Sequence, residues 1–314
     1  MNVDQIKKLE KKYFSEIINI IKLNEFEKDL INIEKYIQDN YEYLRKNTSQ
    51  ENKINVAVER IIRYYIYNNL KINNIYPSPL SADLAVELDD VILSIDAKTI
   101  NMITNGGDDK SIHFQKDQIT FNNNPLYKQK VKGYDFSGAL FPPKLESFYN
   151  NKPVLTYFIT INYVDVPNMK KFHLQHMSLC CVPHQDIVKK DFNNNIISNL
   201  KTWGYINKKE ADNLGKKYAP LKIAKSKAFS HWIPFSIKGE NKIDAWLDPQ
   251  LDHPYDGIDG KCVRKHIDGA FKIVAYGLSA RIDKNIITDR KDSNGESWKG
   301  YYKIDIIPKG ANTK

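Results

Sequence analysis

Two acidic residues and a lysine in the segment 81–99 are of the types that metal-assisted hydrolysis requires. Asp83 belongs to the segment SADLAVELDD, and Asp96 and Lys98 belong to VILSIDAKT, which follows it directly. Neighbouring carboxylates repel unless a cation compensates them, and Mg²⁺ prefers one or two carboxylates together with water and phosphate oxygens. A lysine beside them could orient or help deprotonate an attacking water, or offset charge that develops on phosphorus. These residues therefore indicate hydrolysis of a phosphate ester.

The elements that must position these residues are the two strands of a hairpin. Apolar and polar residues alternate with a period of two on both sides of Asp89-Asp90, which is typical of strands joined by a tight turn. Aspartate tolerates left-handed backbone angles, so this pair can form the turn. Leu88 then pairs with Val91. Counting outward sets Asp83 directly opposite Asp96, with Cβ atoms roughly 5 Å apart.

The order Asp83, then Asp96-Ala97-Lys98, resembles the motif of the PD-(D/E)XK nuclease superfamily, which includes many type II restriction endonucleases. The resemblance implies that the two acids bind Mg²⁺ and that Lys98, on the same face of its strand as Asp96, assists the hydrolytic water. The backbone carbonyl of Ala97 could supply another metal ligand. The chain departs from the family pattern before the first acid, where Ala82 replaces the proline.

Other acid-x-Lys triplets occur along the chain, for example at 10–12, 108–110 and 259–261. None of them follows an apolar run typical of a strand, as VILSI does, so their context favours Asp96 and Lys98. The alternative interpretation is an ordinary amphipathic hairpin with a solvated acidic face.

The resemblance also implies an α/β fold: a restriction-endonuclease-like core with a central mixed sheet flanked by helices. Apolar residues at helical spacing predict an N-terminal helical arm over 1–47, which leaves 48–314 for the nuclease domain with DNA-binding insertions. Apolar residues on both faces of 152–163 favour a central strand, and 172–182 is predicted as its neighbour. We favour one compact α/β unit with this arm.

A capping-box sequence at 48–51 predicts a helix over about 50–70. Glu59 lies beside its apolar face. The resemblance implies that a helix before the first acid often contributes a glutamate to the metal site, so Glu59 is a candidate additional ligand, with a surface glutamate as the alternative. Further along, 186–218 has a helical pattern, and 271–278 and 301–307 are predicted as closing strands.

The charge balance fits a polyanionic partner. Lys and Arg total 47 against 38 for Asp and Glu, which gives a net charge of +9 and a pI near 9.1 and supports DNA binding. The candidate DNA-binding residues are Lys110, His113, Gln115, Lys116, Lys225 and Lys227. A solvated surface position is the alternative for each of them.

Two other clusters contain metal-ligating residue types. The first is His173, His176, Cys180, Cys181 and His184. Its spacing matches no zinc module, so buried cysteines and separate histidines are favoured. The second, over 248–261, holds four aspartates and Lys261 in a turn-rich segment. It is the best rival to the hairpin, but an irregular loop holds ligands less rigidly than paired strands.

Several protein classes are not favoured. The sequence has no convincing glycine motif for a methyl donor and no Walker A motif. It has no signal-peptide core at its start and no apolar run near the ~20 residues that cross a bilayer. Three cysteines make no disulfide framework. We therefore expect a cytoplasmic protein with no membrane partner.

The expected function is that of a type II restriction enzyme. As the resemblance implies, it would be a Mg²⁺-dependent homodimer that cuts double-stranded DNA at a specific short site, with a cognate DNA methyltransferase in the same system. The alternatives are a non-catalytic basic nucleic-acid-binding protein, and a repair or recombination nuclease built on the same core.

Overall fold

The computed structural model describes the larger part of the chain. The described residues are 1–47, 52–76, 82–103, 111–115, 118–120, 130–131, 134–135, 145–192, 197–205, 233–235, 245–247, 266–267, 271–272, 275–283 and 287–306. Their α-helices are α1 (Val3–Ile21), α2 (Asn24–Asp39), α3 (Tyr41–Asn47), α4 (Asn52–Asn69) and α5 (Gln185–Asp191), with a 3₁₀ turn at Pro167–Met169. None of these helices is long and apolar enough to cross a membrane.

The strands range in length from two to 15 residues. They are β1 (Asn74–Tyr76), β2 (Leu84–Glu87), β3 (Ile92–Asn101), β4 (Ser111–Gln115), β5 (Lys130–Val131), β6 (Tyr134–Asp135), β7 (Phe148–Tyr149), β8 (Lys152–Val166), β9 (Lys171–Val182), β10 (Ile197–Tyr205), β11 (Ile233–Phe235), β12 (Ala245–Leu247), β13 (His266–Ile267), β14 (Phe271–Lys272), β15 (Ala275–Asp283), β16 (Arg290–Lys291), β17 (Ser297–Trp298) and β18 (Tyr301–Asp305).

The helices predicted for 1–47 and for about 50–70 are confirmed. α1 begins with a capping box, in which the Asn2 side chain accepts from the Gln5 backbone N–H and the Gln5 side chain accepts from the Asn2 backbone N–H, each at 2.9 Å. Its apolar residues at helical spacing, such as Ile6 and Ile17, are buried. The capping-box sequence predicted at 48–51 lies outside the described residues.

The main sheet is mixed and has helices against it. Its strand order is β1-β2-β3-β8-β9-β18, with β7 also paired to β8. β3 and β8 are parallel, whereas the neighbouring pairs β1–β2, β2–β3, β8–β9 and β9–β18 are antiparallel. One face carries Leu93, Ile95, Tyr157 and Ile159, which share a core with α1, α2 and α4. The predicted α/β fold class with a central mixed sheet is therefore confirmed.

β8 is the central strand that the sequence predicts. Its residues from Pro153 to Tyr163 are all buried, as expected for a strand covered on both faces. β9 is its antiparallel neighbour, also as predicted. Where β9 extends beyond its pairing with β18, two side chains of α2 accept hydrogen bonds from its backbone N–H groups. Gln38 accepts from the Phe172 backbone N–H and Glu34 from that of Leu174, each at 2.8 Å, which protects an otherwise open edge.

Two compact units divide the chain. Unit 1 holds Met1–Ile112, Ser147–Ile196 and Ile282–Lys314, and unit 2 holds His113–Glu146 and Ile197–Arg281. The helices α1 to α3 lie in unit 1, as does the main sheet. The division at residue 47 stays a prediction about domain organisation.

The helical pattern predicted over 186–218 is confirmed up to Asp191 and wrong over 197–205, and 206–218 lie outside the described residues. α5 ends at Asp191, and Ile197–Tyr205 is strand β10 in a sheet of order β10-β15-β4. Pairing with a strand about 75 residues later in the sequence overrides the local helical spacing, because strand formation depends on such tertiary partners. The closing strand predicted at 301–307 is confirmed as β18, while 271–278 is divided between β14 and β15.

A buried ion pair ties α1 to the C-terminal part of unit 1. Arg290 Nη2 donates to Glu10 Oε2, and both side chains are almost fully inaccessible, at 2% and 0% exposure. The backbone N–H of His184 donates to Glu10 Oε1 at 2.7 Å. Arg290 Nη1 also lies 3.3 Å from the Cys181 sulfur, and its guanidinium stacks 4.7 Å from the Trp298 ring. Each charge is therefore compensated by partners from distant parts of the sequence.

Removing one partner of this pair is expected to destabilise the protein strongly. Arg290→Met leaves the Glu10 carboxylate buried without its cation, and breaking a buried pair in this way costs about 3–5 kcal/mol of the free energy of unfolding. Urea denaturation measures the loss, with Lys291→Met, at an exposed neighbouring position, as the control. The double variant Glu10→Leu/Arg290→Met should recover part of it. Equal stability of Arg290→Met and Lys291→Met would contradict this assignment.

Candidate active site

The hairpin brings Asp83, one residue before β2, close to Asp96 and Ala97 of β3. β2 and β3 pair with Leu84 opposite Ile95, and the Leu88 N–H donates to the Val91 carbonyl at 2.9 Å to close the turn. The predicted register is confirmed over this ladder. Its next step outward sets Asp83 opposite Asp96.

The two acids of the turn are held from two sides, which fixes the hairpin in the unit. Asp90 accepts from Lys12 of α1 at 3.0 Å. Asp89 accepts from Asn73 at 2.7 Å and from Lys71 at 3.3 Å. The turn acids are therefore structural anchors at the end of the hairpin that lies away from Asp83 and Asp96.

Asp83 and Asp96 occupy a position where strand backbones do not bond to each other. Hydrogen-bonded and non-hydrogen-bonded pairs alternate along an antiparallel ladder, and in the latter the Cα atoms are only about 4.5 Å apart. Since Leu88 and Val91 form a bonded pair, the alternation makes Asp83 and Asp96 a non-bonded one. At the next step, Asp83 Oδ2 itself accepts from the Ala97 N–H at 2.7 Å. The Asp83 side chain thus takes the place of the next acceptor in the ladder.

Asp96 and Lys98 form a close ion pair on one face of β3. Lys98 Nζ lies 2.7 Å from Asp96 Oδ2, and the Asp96 side chain is only 2% exposed against 24% for Lys98. The predicted common face of these two residues is therefore confirmed. On the parallel strand β8, Phe158 and Thr160 lie beside them. A buried carboxylate is costly without a partner, and the lysine supplies that partner.

A polar stripe of α4 runs along the same end of the hairpin. Asn55, Glu59 and Arg63 are spaced four residues apart, so they share one helix face. The Thr99 hydroxyl donates to Asn55 Oδ1, and Arg63 Nη2 donates to the Asp83 backbone carbonyl. Sequence reasoning did not identify Asn55, Arg63 or Thr99. The one signal available was this four-residue spacing of polar side chains around Glu59.

The pKa of Glu59 is affected by the charges of Asp83, Arg63 and Lys98. Burial raises the pKa of its carboxyl, the Asp83 charge raises it further, and Arg63 and Lys98 oppose both effects; the net shift is upward. A third carboxylate is therefore close enough to the pair to interact with it electrostatically. Its charge is not fully compensated within the protein.

These oxygen atoms fit a hard divalent cation. Asp83 and Asp96 offer carboxylates, and the Ala97 carbonyl points to the same side of β3 as its N–H, which meets Asp83. Carboxylate and carbonyl oxygens are the ligands such ions prefer. In the described part of the chain, no three acidic, histidine or cysteine side chains already converge as a metal cluster. A cation bound here would therefore share or replace the present partners of these carboxylates, which are Lys98 and the Ala97 N–H.

The other predicted residues are only partly within the described structure. Lys110, Lys116, Lys225, Lys227 and the acidic segment 248–261 lie outside the described residues. His113 and Gln115 are on β4, whose contribution to DNA binding stays a prediction.

The histidines and cysteines of 173–184 contact separate partners. His173 Nδ1 lies 2.9 Å from Glu34, and His184 Nε2 lies 2.7 Å from the Ser147 carbonyl. Cys180 and Cys181 pair with successive residues of β8 and so point to opposite faces of the sheet.

Comparison with known proteins places these residues in a family. The family model described as type II restriction enzyme MwoI, N-terminal domain, matches residues 2–168, a range that includes α4 and the hairpin. Among solved structures, the restriction endonuclease BglI bound to its DNA recognition sequence shares 11% identity, with a TM-score of 0.49 over 98% of this chain and 92% of that chain. Tetrameric restriction endonuclease SfiI bound to cognate DNA shares 13% identity, with a TM-score of 0.37 over 60% and 69%. A search of curated protein sequences finds no match.

The raised pKa of Glu59 predicts a pH-dependent gain in stability for Glu59→Gln. The folded protein holds the Glu59 proton more tightly than the unfolded chain does, so ionisation destabilises the fold as the pH rises above the unfolded value near 4.5. Glutamine mimics the protonated form. In metal-free buffer, Glu59→Gln should therefore melt at a higher temperature than the unsubstituted protein at pH 7, and at the same temperature at pH 4. A variant that melts lower at pH 7 would contradict the shift.

Proposed function

The chain belongs to the family of the type II restriction enzyme MwoI N-terminal domain, and we propose that it is a metal-dependent endonuclease that hydrolyses phosphodiester bonds of double-stranded DNA at a specific short site. The observation that carries the proposal is that the Asp83 carboxylate accepts from the Ala97 N–H, next to the buried Asp96, to which Lys98 is ion-paired. Glu59 of α4 supports it, because its pKa responds to Asp83 and Lys98.

Mg²⁺ is the proposed metal, held by the Asp83 and Asp96 carboxylates and the Ala97 carbonyl, with Glu59 as the additional ligand. When bound, such an ion supplies the positive charge that activates water and stabilises charge developing on the phosphate. The low exposure of Asp96 supports this arrangement, because charges interact more strongly where water is excluded.

Lys98 is proposed to assist the attacking water. Its ammonium group now lies 2.7 Å from Asp96, so it becomes available for another partner when Asp96 turns toward the metal. From that position it can orient the water for in-line attack on phosphorus, or donate to a phosphate oxygen as negative charge builds up. The new bond joins the water oxygen to phosphorus, and the bond to the leaving sugar oxygen breaks.

Binding of the polyanionic substrate is proposed to draw on the net charge of +9, since cationic side chains supply most of the non-specific affinity for DNA. Lys110, His113, Gln115, Lys116, Lys225 and Lys227 are the proposed contacts. Residues 48–314 would form the nuclease domain with its DNA-binding insertions. We further propose a cytoplasmic homodimer that acts alongside a cognate DNA methyltransferase. A non-catalytic DNA-binding protein and a repair or recombination nuclease are the alternative functions.

Lys98→Ala is expected to lower the rate of DNA cleavage by about a hundredfold or more, because the group that acts on the water or the phosphate is lost. DNA binding, measured in Ca²⁺ by electrophoretic mobility shift, should remain. Cleavage by the unsubstituted protein should require Mg²⁺ and stop in EDTA.

Lys71→Ala is the matched control for this experiment. It also removes a lysine that is ion-paired to an aspartate of the hairpin, Asp89 at 3.3 Å, but at the turn and not at the candidate site. It should cut DNA at the normal rate. Equal cleavage by Lys98→Ala and the unsubstituted protein would refute the catalytic assignment. DNA binding without cleavage by any form of the protein would favour the non-catalytic alternative.

A further inference from the structure

Arg63 of α4 contacts the main chain of Asp83. Its Nη2 donates to the Asp83 backbone carbonyl. We propose that Arg63 is a positioning residue, which fixes the Asp83 main chain and thereby aims the Asp83 carboxylate at the cation position beside Asp96. Its consequence for cleavage rests on the proposed function, whereas its consequence for metal binding can be measured independently.

The hairpin alone does not fix the Asp83 main chain. Asp83 lies one residue before β2, and continuing the ladder by one step would make it a non-hydrogen-bonded partner of Asp96. In such a pair the backbone N–H and C=O point away from the facing strand, which agrees with the contact of this carbonyl to α4. In the described part of the chain, β1 extends along β2 only as far as Ala85. The carbonyl of Asp83 therefore needs a donor from elsewhere, and α4 supplies it through Arg63.

The two ends of Asp83 are thus held by different elements. Arg63 holds the main-chain carbonyl, and the Ala97 N–H holds carboxylate Oδ2 at 2.7 Å. If the carboxylate turned from the Ala97 N–H to bind a cation, the Arg63 contact would still restrain the Asp83 main chain. Without it, the segment can shift, and a displacement of about 1 Å at a reacting centre can cost a hundredfold in rate.

The rest of the guanidinium group supports a positioning role. Arg63 Nε is buried and has no hydrogen-bond partner among the described residues. An unpaired buried donor is unfavourable. The hydrogen bond from Nη2 to Asp83 is therefore kept even though another donor of the same guanidinium group has no partner among the described residues. Because Nε is hidden from solvent and Nη2 is engaged with Asp83, direct contact of these atoms with a DNA phosphate is disfavoured. Lysine at this position could keep the terminal donor and the charge without a buried Nε–H.

The test compares Arg63→Met, Arg63→Lys and the control Arg60→Met, which removes an exposed arginine from the same helix. Mn²⁺ binding is measured by calorimetry, and kcat and KM for a DNA substrate are measured at saturating Mg²⁺. Arg63→Met should weaken Mn²⁺ binding and lower kcat by about 10–100-fold, the range found when residues that orient metal ligands are removed. KM for DNA should change less than about twofold, since no DNA contact is lost.

Arg63→Lys should recover much of both losses, and Arg60→Met should behave as the unsubstituted protein. If Arg63→Met does not fold by circular dichroism, Arg63→Gln replaces it, because its shorter side chain cannot reach the Asp83 carbonyl. Normal Mn²⁺ binding by the Met or Gln variant would overturn the inference. A raised KM with unchanged kcat would also overturn it, because Arg63 would then contact DNA.

The two proposals can fail separately. Weakened Mn²⁺ binding in Arg63→Met, together with no cleavage by the unsubstituted protein, would support the role of Arg63 and refute the nuclease function. Normal Mn²⁺ binding in Arg63→Met, with cleavage intact, would support the nuclease function and refute the role of Arg63.

Discussion

Neighbouring carboxylates must be compensated, and the arrangement around Asp83, just before β2, and Asp96 of β3 follows from that constraint. Asp96 is compensated by Lys98 at 2.7 Å, and Asp83 accepts from a backbone N–H of the facing strand. Glu59 approaches from α4 with a raised pKa. The negative charges of Asp83 and Asp96 are thus compensated by neighbouring groups of the chain. A divalent cation could replace these partners of both carboxylates.

The rigid parts of unit 1 keep this end of the hairpin in place. The turn at the other end is tied to α1 through Asp90 and to the segment before β1 through Asp89. β3 is also paired along its length with β8, a fully buried central strand. Because paired strands and packed helices hold side chains more accurately than loops do, a site built on β3 and α4 has the rigid support that catalysis requires.

Features set by local periodicity could be predicted from the sequence, and those set by long-range contacts could not. The register of the hairpin follows from the turn and the two-residue period, and the ladder confirms it as far as the pair Leu84 and Ile95. The contact of Arg63 could not be predicted, because its partner is a backbone carbonyl and no pattern of side chains in the sequence indicates such a contact. The local spacing of apolar residues predicts a helix where β10 lies, because the partner strand β15 is far along the chain. The long-range partners of Glu10 were equally hidden.

The proposed function depends on Asp83, Asp96 and the Ala97 carbonyl binding one divalent cation. Anomalous diffraction from crystals of the protein with DNA and Mn²⁺ tests it most directly. We predict an anomalous peak within coordination distance of one oxygen of each carboxylate and of the Ala97 carbonyl, with the Lys98 ammonium no longer paired to Asp96. A well-ordered DNA complex with the Mn²⁺ peak elsewhere, and with Asp96 still paired to Lys98, would contradict it.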